Sequence, residues 1–397
     1  MEQAIIIAAI LMFGYGIFSK LADRSPISAP MVFVSAGILL SPLCFGLFSV
    51  SIHSEVVKIL AEFTLIILLF TEASTISLRS LVKEYKIPTR LLTIGLPLTM
   101  ALGICVGLLL FPSINGWAIA VMALILSPTD AALSQPVVNN QHIPHITRDA
   151  IAIESGLNDG IALPPILACI AALAATKMAG HGVGHWIQFL FAQIFLGLII
   201  GSLVGFCGGR IIIHAWKKQW INQTFIRLSS LALAILAYSL ATALTGNGFI
   251  AAFCGGFVLG TQIKPIKHAV VEFGETEGQQ LTLFVFLLFG LVLVPISAPR
   301  WSWNALIYSL LSLTFIRMIP VLICLIGSKL NFATKVFIGW FGPRGMASVL
   351  YLLMFVAMVG AGQYDEMLSV ITLTVLISVF AHGLSAVPLT KLYRHYV

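Results

Sequence analysis

Charged residues are scarce in this chain of 397 residues. Asp, Glu, Lys and Arg make up 9% of the sequence, whereas they make up about 25% of a typical soluble domain. Hydrophobic residues account for 59%, and the mean hydropathy is +1.02. Polar side chains are therefore too few to cover a water-facing surface, and a soluble globular fold is excluded.

Paired cysteines are missing as well. The six cysteines are scattered singly along the chain, and no Cys-x-x-Cys pair occurs, so neither a disulfide framework nor a zinc site is indicated. We expect no cofactor. A cleavable signal is not indicated either, because Glu2 precedes the first apolar run and no Ala-x-Ala pattern follows it.

Apolar runs long enough to cross a bilayer follow one another from end to end. A helix needs about 20 predominantly apolar residues to span the hydrocarbon core, and we count about thirteen such runs. They predict an all-α polytopic membrane protein whose surroundings are the lipid bilayer. The first apolar run is predicted to be the first membrane span.

The net charge of +7 raises the question of an acidic partner. The bases lie in short loops, where the positive-inside rule accounts for them, so no nucleic-acid partner is expected. They concentrate in the odd-numbered connections, which predicts a cell (inner) membrane protein with the N-terminus outside and the C-terminus in the cytoplasm. These bases include Arg79, Lys83, Lys86, Arg90, Arg148, Arg210, Lys217, Lys218, Arg227, Lys264, Lys267 and Lys329, whereas Lys177 and Arg300 lie in even-numbered connections.

Two predicted spans contain a polar interruption centred on proline. A Ser-Pro-Thr-Asp motif at 127–130 interrupts the fifth span, and a Gly-Pro-Arg-Gly motif at 342–345 interrupts the twelfth. If spans 1–6 and 8–13 are inverted repeats joined by span 7, the interruptions occupy corresponding places, which is typical of a transporter site. Two unrelated kinks are the alternative, because proline is common in membrane helices.

Two carboxylates lie within the apolar sixth span. Ser155 and Asp159 are four residues apart, as are Glu154 and Asn158, so all four share one stripe of a helix. Ionisable groups at this depth are costly and are kept where they face a protein interior or a water-filled cavity. The stripe therefore predicts a cation or proton pathway. For Ser155 and Asn158 alone, a polar contact between helices is the alternative.

Asp130 follows Pro128, where backbone carbonyls lose their helical partners. A carboxylate, the Thr129 carbonyl and the Thr129 hydroxyl can together replace the hydration shell of a cation. Asp130 can also serve as the countercharge to a helix N-terminus, and the two roles are compatible.

Two arginines in apolar spans require partners. Arg317 is predicted to pair with Glu154, because a buried arginine needs an acid, and snorkelling to an interface is the alternative. Arg344 is predicted to neutralise either Asp130 or the negative ends of the broken helices. Glu72 either lines an entry funnel or is a solvated cap. His382 is interpreted as a packing residue in preference to a pH sensor.

In these residues the chain resembles the monovalent cation:proton antiporter-1 family, the NhaP-like sodium/proton exchangers of bacteria and archaea and their animal relatives. The resemblance covers nearly the whole chain. It rests on the order and spacing of the motif at 127–130, the Glu-Ser and Asn-Asp pairs within 154–159, the Arg317 helix and the motif at 342–345.

The resemblance implies an NhaA/NhaP-like fold of thirteen helices, in which spans 5 and 12 are unwound and cross near the site. It also implies a homodimer. A core domain at approximately 91–175 and 305–393 would move against a dimerisation domain at approximately 1–76 and 186–296. A long regulatory domain of the animal type is not expected.

The same resemblance implies the roles of the site residues. Asp159 is the carboxylate shared by proton and cation, and Na⁺ is held by Asp159, Asp130, Ser155 and the Thr129 carbonyl. The Asn158 side chain orients the site, and its pairing with Asp159 is typical of electroneutral exchangers. By the same pattern Glu154 pairs with Arg317.

The predicted mechanism is competition for one site. Asp159 binds either a proton or a cation, and only the neutralised site crosses the low-dielectric gap, because moving a bare charge there costs too much. Alternating access then enforces exchange. Na⁺ is the expected cation, with Li⁺ and K⁺ open. A channel or symporter is the alternative, and an intramembrane protease built on Asp130 and Asp159 is disfavoured because its sequence patterns are missing.

Overall fold

Helices form the regular structure in the described part of the chain. This computed structural model describes residues 2–22, 25, 27–48, 51–52, 54–75, 86–175, 183–263, 267–360 and 362–395. No strand occurs within these ranges, which confirms the all-α prediction. Arg79, Lys83, Lys177 and Lys264, which contribute to the predicted orientation, lie outside the described residues.

The helices are numbered here in chain order. They are α1 (Glu2–Ala22), α2 (Ala29–Leu40), α3 (Glu55–Thr75), α4 (Lys86–Arg90), α5 (Leu96–Leu110), α6 (Gly116–Ile125), α7 (Ala131–Val138), α8 (His145–Ala175), α9 (Val183–Lys217), α10 (Gln223–Ala243), α11 (Gly248–Gln262), α12 (Lys267–Leu288), α13 (Val294–Ser297), α14 (Trp303–Leu313), α15 (Phe315–Cys324), α16 (Phe332–Trp340), α17 (Met346–Val359) and α18 (Asp365–Tyr393). Short π-helical turns join α4 to α5 and α12 to α13.

Many of these helices are apolar enough to lie in a bilayer. Among the described residues, seven helices are long and apolar enough to cross a membrane, and five shorter helices are apolar as well. The chain is therefore a multi-span membrane protein. The number of crossings and the inverted relation of two repeats stay predictions.

Two predicted spans are divided at their proline motifs. The helix α6 ends at Ile125 and α7 begins at Ala131, while α16 ends at Trp340 and α17 begins at Met346. We call residues 126–130 the first break and residues 341–345 the second break. Each contains one proline, whose ring lacks the N–H that helix continuation needs.

Polar residues cap the amino ends of several of these apolar helices. Each of five caps accepts a hydrogen bond from a backbone N–H of the first turn, which would otherwise lack a partner. Unsatisfied backbone groups are especially costly in a bilayer. These caps are Asn115, Asn222, Asn247, Ser302 and Asn331.

The chain forms two compact units. Unit 1 contains Met1–Ile59, Ile87–Ser155 and Thr282–Val397, and unit 2 contains Leu60–Lys86 and Gly156–Leu281. Unit 1 thus joins the first 59 residues to most of the predicted core domain, whereas residues 156–175 of that prediction fall in unit 2. Compactness does not report which helices move or dimerise, so the division into core and dimerisation domains stays a prediction.

An aromatic contact near the end of α18 joins three helices of unit 1. The Tyr393 ring stacks on Phe337 of α16, with centroids 4.1 Å apart. The Tyr393 hydroxyl lies 2.7 Å from Thr334 Oγ1 and 3.3 Å from Thr147 Oγ1 of α8. The helix that carries the polar stripe and one half of the second interrupted span are therefore packed against α18.

Glycines bring α9 and α11 of unit 2 into backbone contact. A Cβ atom on Gly201 would lie 2.6 Å from Cα of Ala251, and one on Gly205 would lie 2.9 Å from Cα of Gly255. These distances leave no room for a side chain. Small residues four apart allow such close approach between membrane helices.

The opposite pattern joins α11 to α3. Here the glycines belong to α11, and a Cβ atom on Gly256 would lie 2.9 Å from Cα of Phe70. A Cβ atom on Gly260 would lie 2.9 Å from Cα of Ser74. The short helix α11 is therefore in backbone contact with two neighbours, α9 and α3.

Candidate ion-binding site

The two breaks are hydrogen-bonded to each other within unit 1. The backbone N–H of Asp130 donates to the Pro343 carbonyl at 2.8 Å. The Ser348 hydroxyl, in the first turn of α17, donates to the Ile125 carbonyl at the end of α6, also at 2.8 Å. Backbone groups that lose helical partners at one break thus find partners at the other. The predicted meeting of the two unwound segments is confirmed.

Arg344 lies at the carbonyl end of α6. Its Nη1 donates to the Ser127 carbonyl and, at 3.0 Å, to the Pro128 carbonyl. The side chain is 0% exposed, so it does not snorkel to an interface. Because a helix C-terminus carries partial negative charge, the guanidinium stabilises this end. The sequence left two partners open for Arg344, and these hydrogen bonds go to the helix end.

Asp130 lies at the amino ends of two helices. Its Oδ1 accepts from the backbone N–H of Ala132 in α7 at 2.7 Å, and its Oδ2 accepts from the backbone N–H of Met346 in α17 at 2.5 Å. Helix N-termini favour a carboxylate through their free N–H groups and their dipole. A Cβ atom on Gly345 would overlap Asp130 Oδ2, so glycine at 345 admits the carboxylate to the second helix.

The charged side chain of each break thus stabilises a helix end at the other break. The acid of the first break stabilises the amino end of the helix that leaves the second, and the base of the second stabilises the carbonyl end of the helix that enters the first. Separating the breaks would leave a carboxylate, a guanidinium and several backbone groups without these partners. The geometry of each break therefore depends on the other.

Glu154 and Arg317 form a buried bidentate ion pair. Nη1 lies 2.5 Å from Oε1, and Nη2 lies 2.7 Å from Oε2. Arg317 is 1% exposed, which excludes snorkelling as the reason for its position. A Cβ atom on Gly342 would lie 2.9 Å from Arg317 Cζ, so the pair lies directly against the second break. Both oxygens of Glu154 are engaged, as a structural partner requires.

Thr129 and Ser155 bring the first break against α8. Their hydroxyl oxygens are 3.0 Å apart, and both side chains are buried. Hydroxyl and unwound carbonyl oxygens are groups that can replace water around an alkali cation. This part of unit 1 therefore offers oxygen ligands close to Asp130 and Arg344, the two charged side chains that bond to helix ends.

Asn158 and Asp159 lie one turn further along α8, in unit 2. Both side chains are buried, with 0% and 4% exposure. Because residues four apart share a helix face, they continue the stripe that begins at Glu154 and Ser155. Two roles stay predictions: that of Asp159 as the shared carboxylate, and that of Asn158 in orienting the site.

Glu72 lies in the last turn of α3 and is partly buried. Its carbonyl accepts from the Thr75 hydroxyl at 2.7 Å, inside the same helix. That contact suits a funnel wall as well as a cap, so both interpretations of Glu72 stay open.

Two polar residues of α18 reach the second break without having been assigned to the site from the sequence. Ser378 Oγ accepts from the backbone N–H of Arg344 at 2.7 Å, and His382 Nε2 lies 3.0 Å from the Trp340 carbonyl. The sequence interpretation made His382 a packing residue and did not single out Ser378. A signal was present, because the two residues are four apart and share a helix face, as Ser155 and Asp159 do.

Comparison with known proteins gives one family. A family model described as "Sodium/hydrogen exchanger, transmembrane" matches residues 6–392. The K(+)/H(+) antiporter NhaP of Alkalimonas amylolytica is 26% identical over 272 residues, which cover 68% of this chain and 46% of that protein. The Na(+)/H(+) antiporter 2 of Zygosaccharomyces rouxii is 26% identical over 260 residues, which cover 61% of this chain and 31% of that protein. The matched segments thus span less than half of these relatives' length.

A solved structure has the same fold. The sodium proton antiporter MjNhaP1 from Methanocaldococcus jannaschii, at pH 8, matches with a TM-score of 0.76 over 96% of this chain and 99% of that chain. Sequence identity is 17%, so this likeness shows the fold alone. The NhaP-like fold predicted from the sequence is therefore confirmed.

Proposed function

The chain belongs to the sodium/hydrogen exchanger family, whose model matches residues 6–392, and from this premise we propose that it exchanges a monovalent cation for H⁺ across a membrane. The match confirms the family that the sequence motifs predict, which is one of transporters and not of enzymes. Membrane-length helices and buried carboxylates support the proposal.

The observation that carries the proposal is the joining of the two breaks in unit 1. A cation that enters a bilayer-embedded protein must exchange its hydration water for protein oxygens. Unwound segments expose backbone carbonyls for this purpose, and Thr129 and Ser155 add hydroxyls 3.0 Å apart. The Asp130 carboxylate and the Arg344 guanidinium stabilise the helix ends there.

In the proposed mechanism, Asp159 binds either H⁺ or the cation. Asp130, Ser155 and the Thr129 carbonyl assist in holding the cation, and the Asn158 side chain orients the site. A neutralised site crosses the membrane interior at much lower cost than a bare carboxylate does. Alternating access with one positive charge carried each way makes the exchange electroneutral.

Na⁺ is the first candidate for the cation, and K⁺ is the second. The second has its own support, because the relative from Alkalimonas amylolytica is named as a K(+)/H(+) antiporter. The relative from Zygosaccharomyces rouxii is named as a Na(+)/H(+) antiporter. We further propose a homodimer in the cell (inner) membrane with a cytoplasmic C-terminus and a role in pH homeostasis.

Proton flux in proteoliposomes tests this function. Wild-type protein is expected to change the pH inside the vesicles when Na⁺, Li⁺ or K⁺ is added outside, and the ranking of the three identifies the cation. Asp159→Asn is expected to abolish the response. The matched control is Asp149→Asn, which makes the same chemical change on an exposed part of α8 and should leave exchange intact.

Two results would contradict the mechanism. Exchange retained in Asp159→Asn would remove Asp159 as the shared carboxylate. A cation current through wild-type protein without accompanying proton movement would favour a channel of the same fold.

A further inference from the structure

Two side chains of α18 hold the two sides of the second break. Ser378 Oγ accepts from the Arg344 backbone N–H at 2.7 Å. His382 Nε2 lies 3.0 Å from the carbonyl of Trp340, the last residue of α16. Both side chains are buried, with 0% and 1% exposure. One helical turn of α18 therefore spans the gap where α16 stops.

The hydrogen bonds indicate which ring nitrogen of His382 carries the proton. The Trp340 carbonyl can only accept, so the tautomer that bonds to it carries its proton on Nε2. Nδ1 then accepts from the Ser378 hydroxyl at 3.1 Å, and that hydroxyl oxygen accepts from Arg344. A neutral imidazole thus completes a chain of three hydrogen bonds. Nδ1 also lies 3.0 Å from the Ser378 carbonyl, a contact that would need a second ring proton.

Arg344 has few other polar anchors. Its Nη1 donates to two carbonyls of the first break, but Nε and Nη2 have no hydrogen-bond partner among the described residues. The backbone N–H bonded to Ser378 is therefore a substantial part of what fixes this residue. Losing it would free the arginine to shift relative to the carbonyls that it stabilises.

We propose, on the basis of the exchange function above, that Ser378 and His382 are positioning residues of the transport cycle. They fix the second break so that the Arg344 guanidinium stays on the Ser127 and Pro128 carbonyls. Those carbonyls immediately precede Thr129 and Asp130, which are the proposed cation ligands of the first break. Cation affinity therefore depends on two residues of α18 that do not touch the cation.

Cation affinity separates this role from a merely structural one. A residue needed only for folding would change the amount of folded protein and leave the apparent KM of the remainder unchanged. A positioning residue changes the apparent KM in protein that is folded. Both quantities are available from proteoliposome flux and from thermal unfolding of the purified full chain in detergent.

Four variants suit this experiment. Ser378→Ala removes the acceptor for Arg344, and His382→Leu removes both ring contacts. His382→Gln keeps an amide donor for the Trp340 carbonyl. The control is Ser369→Ala, another buried serine of α18, whose hydroxyl donates at 2.8 Å to the Glu366 carbonyl of its own helix.

Loss of one such hydrogen bond is expected to raise the apparent KM for the transported cation about tenfold in Ser378→Ala and in His382→Leu. His382→Gln is expected to recover part of this loss, and Ser369→Ala should match the wild type. Wild-type KM in both Ser378→Ala and His382→Leu overturns the inference. The inference is also overturned if the transport rate falls only in proportion to the amount of folded protein while the apparent KM stays unchanged. Absence of exchange by wild-type protein would instead overturn the proposed function, and this inference with it.

Discussion

The break region of unit 1 and the α9–α11–α3 contacts of unit 2 are stabilised in different ways. The breaks are held by charged side chains and backbone groups that satisfy one another across the two interrupted helices. The helices of unit 2 are held by glycines that allow backbones to touch. Apolar side chains gain little by leaving lipid for protein, so membrane helices rely on polar bonds or on close packing. Each region uses mainly one of these two means.

This difference sets what each region tolerates. The break region contains buried charges, so removing a partner should be more damaging there than changing a volume. The glycine contacts bring backbone against backbone and contain no buried charge pair, so adding a single methyl group should be damaging there. The predictions below test these two sensitivities.

The largest expected effect is the loss of one partner of the buried ion pair. Arg317→Met leaves the Glu154 carboxylate buried without its bidentate partner, and breaking such a pair costs about 3–5 kcal/mol. We expect a large fall in the thermal unfolding temperature of the purified protein in detergent.

The double variant Glu154→Leu with Arg317→Met is the control for this prediction. Replacing both members of a buried pair by apolar residues is often nearly neutral, so most of the lost stability should return. If the double variant is as unstable as Arg317→Met alone, the volume of the arginine matters more than its charge. The two regions would then be less different than their contacts indicate.

The next largest effect is a change of stability in unit 2, and its sign tells whether a glycine is in backbone contact with another helix. In an ordinary helix, Gly→Ala stabilises by up to about 1 kcal/mol. Gly201→Ala should instead destabilise by about 1–3 kcal/mol, because the new methyl meets the Ala251 backbone, which cannot rotate away. Thermal unfolding of the two single variants Gly201→Ala and Gly278→Ala provides the measurement.

Gly278→Ala is the matched control in the same unit. Among the described residues, no atom beyond the neighbouring residues and backbone of its own helix lies within 4 Å of a Cβ built at Gly278, so this change should be neutral or stabilising. Equal effects at the two glycines would mean that α9 and α11 are not in firm backbone contact.

Features that depend on local sequence could be predicted. Proline and glycine within apolar runs predict the breaks at 126–130 and 341–345, because these residues interrupt a helix at their own position in the chain. The pairing of Arg317 with Glu154 could be inferred because few acids occur in the apolar spans. The multi-span membrane character, the fold class and the family followed from run length and motif order.

Features that depend on a distant backbone could not be predicted. Asp130 stabilises α17 only because the interrupted helices meet in one register, and no local pattern sets that register. The partner of His382 is the Trp340 carbonyl, a main-chain atom that any residue supplies. The sequence around the glycines of α9 and α11 does not indicate which helix each glycine contacts. Sequence therefore indicates polar and small residues more readily than their partners.

The smallest expected stability effect compares one helix cap from each region. Asp130→Asn keeps an acceptor for Ala132 but loses the one for the Met346 N–H, and Asn247→Ala loses the acceptor for the Ile250 N–H. Each change removes one acceptor from a helix start, so each should cost about 1 kcal/mol. Exchange should respond differently. Asp130→Asn should slow it strongly, because its carboxylate is a proposed cation ligand, whereas Asn247→Ala should keep the wild-type KM. Equal loss of exchange in the two variants would mean that transport follows helix stability in general and does not depend on the charge in the first break.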